Sequence, residues 1–85
     1  MSDRLRAVGL ELAVADEQLS HLAGEADDAR LRALVSETPL AEHDKRAAER
    51  HAQAMRRHRD DLAAELRKLE VAQDDLLDRF SAAAP

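Results

Sequence analysis

A chain of 85 residues makes one domain at most, and the absence of cysteine excludes a disulfide framework and a thiolate metal site. So short a chain buries little surface and leans on a second copy or another support rather than on a deep core. The net charge of -5, a single aromatic residue and the scarcity of β-branched residues argue against a basic nucleic-acid domain and against a sheet.

The start of the chain, Met1-Ser2-Asp3-Arg4, lacks the basic-then-apolar run of a signal peptide. No apolar stretch nears the roughly 20 residues needed to span a bilayer. Together these predict a cytoplasmic protein. The alanine- and arginine-rich, lysine-poor usage resembles that of high-GC bacterial proteins.

Ser2 is suited to cap a first helix, with Asp3 in its positive first turn. That helix is expected over about 3–35. Along it Leu5, Val8, Leu12, Ala15, Leu19, Leu22, Ala26, Ala29 and Ala33 recur in steps of three and four, the period of a coiled-coil seam. Gly24 falls outside the seam, at a cost of about 1 kcal/mol against alanine, and is a candidate kink. Residues 36–38 form a turn. Thr38 and Pro39 then supply a cap and a first helical residue.

The second helix is expected over about 39–80. Ala41, Ala48, Ala52, Met55, Leu62, Leu66, Leu69, Leu76 and Phe80 carry the same repeat, with Lys45, Arg59 and Gln73 filling its gaps. The domain then covers 1–80, and 81–85 reads as a flexible tail.

Two long helices joined by a short turn run antiparallel. A turn centred on Glu37 sets level residues whose numbers sum to about 74. Leu5 then meets Leu69, Val8 meets Leu66, Leu12 meets Leu62 and Leu19 meets Met55. Arg59 and Lys45 fall opposite Ala15 and Ala29, where a long stem has room to reach solvent. The same register sets Asp16 and Glu17 beside Arg56 and Arg57, Glu25 beside Arg50, and Asp27 and Asp28 beside Lys45 and Arg46. Arg30 and Arg32 come level with Glu42 and Asp44, and Arg4 and Arg6 with Glu70 and Glu65.

Leu10, Val14, Leu31, Leu34 and Val35 lie off the first helix's seam. A helix that is apolar on a second stripe buries a second face. These five are the expected self-association surface, pairing two hairpins into a dimeric four-helix bundle. Beyond about residue 72 the second helix has no partner on the first. Leu76, Leu77 and Phe80 therefore overhang, and such a cluster is the kind of anchor that docks against a protein partner.

Other chemistries find less support. His51 and His58 are seven residues apart, about 10 Å along a helix, too far to share a metal. Glu17, His21 and Glu25 line up at four-residue steps but read as a solvated stripe, so no metal or cofactor is expected. Arg46, Arg50, Arg56, Arg57 and Arg59 form a basic stretch able to track phosphates, and this is the alternative function. An arginine four residues before a glutamine, the core of one helical cyclic-dinucleotide motif, occurs at none of Gln18, Gln53 and Gln73. A glycine-rich phosphate loop and a nucleophile–base pair are missing, so no catalytic residues are assigned and an enzyme is not expected.

The expected fold is therefore all-α: two long helices in an antiparallel coiled-coil hairpin that dimerises. The expected function is that of a small protein–protein interaction module, an adaptor or a regulatory, occluding factor.

Overall fold

Two residues, Glu37 and Thr38, separate two long helices in the computed structural model, which describes residues 2–83. Helix α1 spans Ser2–Ser36 and helix α2 spans Pro39–Ala83; they pack against each other as a hairpin. Strong helix formers at most positions account for both lengths. Helix α1 runs without a break through Gly24, which keeps a negative φ.

The turn is built by local hydrogen bonding. The Glu37 N–H donates to the Ala33 carbonyl at 3.1 Å while Glu37 adopts φ 52°, closing α1 with a left-handed residue. The Thr38 hydroxyl oxygen accepts from the Ala41 N–H at 3.1 Å and caps α2. Pro39, whose missing N–H costs nothing at that position, opens it. The expected cap and first residue are both in place.

The far end departs from expectation. Helix α2 continues through Ser81, Ala82 and Ala83, since alanine is the best helix former and nothing there breaks the ladder. Of the tail expected over 81–85, residues 84 and 85 lie outside the described residues.

Every α1 seam residue from Leu5 to Ala33 is buried or half-buried, and so is every α2 seam residue from Ala41 to Gln73. Val8, Ala15 and Leu62 form the centre, with Leu12, Met55, Leu66 and Leu69 packed around them. The register follows the turn: Arg59 bonds Asp16 across the seam, and Arg4 bonds Glu65. Among the buried residues alanine dominates, at Ala15, Ala26, Ala29, Ala33 and Ala52. The core is thus one side chain thick.

The result is a rod of 73 × 14 × 13 Å. Its radius of gyration, 20.0 Å, is well above the about 12 Å of a compact domain of this length. Helix α2 is ten residues longer than α1, which leaves about 15 Å of it unpaired at the open end.

Candidate interaction surfaces

The unpaired end of α2 carries the seam spacing past the end of α1. Gln73 is the last half-buried seam position; Leu76 and Phe80, the next two, are exposed, as is Leu77 beside them. Phe80 is 79% exposed, a large cost for the chain's single aromatic ring. Val71 stands exposed just before them. No residue of α1 reaches the height of this segment.

Leu10, Val14, Leu31, Leu34 and Val35 are all exposed on the side of α1 turned away from α2. They form two patches, not one stripe. Leu10 and Val14 lie toward the open end; Leu31, Leu34 and Val35 lie near the turn. Glu17, Ser20, His21, Gly24, Glu25 and Asp28 occupy the exposed stretch between. Leu40, 70% exposed on the first turn of α2, is a further exposed leucine at this end of the hairpin. Sequence reasoning passed over Leu40; the signal was there, since it falls outside the α2 repeat directly after Pro39.

The ion pairs differ from the expected set. Asp16 bonds Arg59 at 3.4 Å, not Arg56 or Arg57. Asp27 bonds Arg30 at 2.6 Å, and Glu42 bonds Lys45 at 2.7 Å, each within its own helix. Three residues along a helix the partner is already adjacent, so it outcompetes one across the seam. Arg4 chooses Glu65, and no pair joins Glu25 to Arg50 or Arg32 to Asp44 among the described residues. The hydrogen bond from Lys45 holds the Glu42 carboxyl below its ordinary pKa.

The basic stretch is not one surface. Arg46, Arg50, Arg56 and Arg57 are exposed, but Arg59 is half-buried in the seam and held by Asp16 and, at 2.8 Å, by Asp60. Arg56 shares a shallow hollow with Asp27 and Glu49. His21 bonds Glu25 at 3.1 Å, and no group of three metal-ligating side chains converges among the described residues. No helix among them is long and apolar enough to cross a membrane.

Comparison with known protein families, with characterised proteins and with solved structures finds no match to this chain.

Proposed function

We propose that this protein is a cytoplasmic helical-hairpin interaction module, an adaptor or a small regulator that occludes or tethers a partner protein. It self-associates through the exposed apolar residues of α1 (Leu10, Val14, Leu31, Leu34 and Val35), joining two hairpins into a four-helix assembly. It offers Leu76, Leu77 and Phe80 to the partner.

One observation carries the reading: the seam repeat continues at Leu76 and Phe80, where α1 has ended and both side chains stand in solvent. A helix that keeps its seam spacing without a partner is built to receive an apolar helix or groove. The basic stretch of α2 supports phosphate binding less well, because Arg59 is engaged by two carboxylates and the chain carries a net charge of -5.

Affinity capture from native-host lysate at moderate salt tests the proposal, with the Leu76→Asp/Leu77→Asp/Phe80→Asp variant as control. A protein held by the unmodified chain and lost from the variant is the expected outcome. Recovery of nucleic acid that washes off steeply with salt, equally from both baits, overturns it in favour of the basic stretch.

A further inference from the structure

The outer face of α1 carries a second repeat. It opens with Leu10 and Val14, continues through Glu17, His21, Gly24 and Asp28, and closes with Leu31 and Val35. The steps alternate between four and three throughout, the same spacing as the seam, and every one of these residues is exposed. The apolar members are 64% (Leu10), 53% (Val14), 61% (Leu31) and 85% (Val35) exposed. Within the hairpin this spacing has no purpose.

The repeat is self-complementary about its midpoint. Laid antiparallel on an identical helix with level residue numbers summing to 45, Leu10 meets the partner's Val35 and Val14 meets the partner's Leu31. Two-fold symmetry makes each contact twice, as an isologous interface requires. The flanks agree. Glu11 lies on the same flank as the partner's Arg32, two residues out of level and within reach of its long side chain, an opposite-charge pair made twice, and neither residue has an ion pair within its own hairpin among the described residues. Leu34 lies beside the partner's Ala13.

Gly24 is compatible with this pairing, although Gly9, which is off this face, is equally unconstrained. A Cβ built at Gly24 meets nothing within 4 Å, so neither close packing nor backbone geometry in the hairpin calls for glycine. In the antiparallel pairing Gly24 lies opposite the partner's His21, where the missing side chain leaves room for the imidazole beside the two-fold axis. The like charges of Glu17 and the partner's Asp28 oppose the pairing. That pair is made twice, between the apolar contacts, and its cost is what those contacts must outweigh.

We infer that two copies of this chain bind back to back through the outer faces of α1, antiparallel, with Leu10–Val35 and Val14–Leu31 as the paired contacts. This rests on the reading of the chain as a self-associating hairpin, and it specifies the surface, the direction and the register. Four helices then lie nearly in one layer, since the second repeat is opposite the seam.

Cysteine cross-linking tests the register, and the chain contains no cysteine of its own to interfere. The Val14→Cys/Leu31→Cys double variant is expected to oxidise to a covalent dimer. Val14→Cys alone and Leu31→Cys alone are expected not to, because each residue is far from its own symmetry mate. In sedimentation equilibrium the unmodified chain is expected at twice 9.4 kDa. The Leu10→Asp/Leu31→Asp variant is expected at the single-chain mass with unchanged helicity by circular dichroism.

Covalent dimer from Val14→Cys alone would mean parallel pairing and would overturn the inference. So would a dimer that survives Leu10→Asp/Leu31→Asp but dissociates in the Leu76→Asp/Leu77→Asp/Phe80→Asp variant; self-association would then stand, through the overhang. A chain that stays monomeric at every concentration removes both this interface and self-association, while leaving partner capture by the overhang to its own experiment.

Discussion

At the scale of single residues, the turn holds the most concentrated chemistry. Glu37 sits at φ 52°, where a side chain crowds its own backbone at a cost of about 1–2 kcal/mol that glycine escapes. Glycine also makes the unfolded chain looser, which offsets part of the gain. Glu37→Gly is therefore expected to stabilise the hairpin by about 0.5–1 kcal/mol, seen as a higher urea midpoint. Thr38→Ala acts the other way: the Ala41 N–H loses its acceptor, at a cost of about 1 kcal/mol. If the two changes shift the midpoint in the same direction, either Glu37 is not left-handed or Thr38 does not cap α2.

At the scale of the helices, the seam decides stability because the core is one side chain thick. Leu62 is buried and the half-buried Leu12 packs against the central cluster, so a carboxylate at Leu62 is cut off from water and one at Leu12 disrupts the same packing. Leu12→Asp or Leu62→Asp is expected to cost more than about 3 kcal/mol, enough to abolish cooperative melting by circular dichroism in so slight a domain. Leu77→Asp and Phe80→Asp, on the exposed overhang, are expected to leave helicity nearly intact. This contrast also explains what was legible in the sequence. The seam could be read because its period is set by packing alone, and Lys45 and Arg59 could be read as seam members because their stems fit beside alanine. The ion pairs could not, since Asp27 and Glu42 each have a closer partner three residues along their own helix than across the seam. The C-terminal boundary was missed for a different reason. A run of alanine gives no stop signal, and the helix simply continues through Ala83. The second repeat on α1 was half visible: its apolar ends stood out, but the polar residues between them hid the shared period.

At the scale of the whole molecule, length separates the ways two copies can meet. One hairpin is 73 Å long. In the back-to-back arrangement the register slides the two rods past each other, giving a dimer about 100 Å long at the 1.5 Å rise per residue. Pairing through the overhangs instead joins the rods end to end, overlapping by only ten residues and reaching about 130 Å. Small-angle X-ray scattering resolves the two, and the expected longest dimension is the shorter one. The arrangement also bears on function. Each overhang then projects past its neighbour's turn, so Leu76, Leu77 and Phe80 stay free at both ends of the dimer and point in opposite directions. Such a dimer engages two partner molecules at once, or two sites on one elongated partner, with affinity raised by the second contact only where the spacing fits. The Leu10→Asp/Leu31→Asp variant keeps its overhang but loses this bivalency. On a surface densely coated with partner it is expected to dissociate at least tenfold faster than the unmodified chain, and on a sparse surface at the same rate. Equal dissociation on both surfaces would show that the two overhangs do not act together.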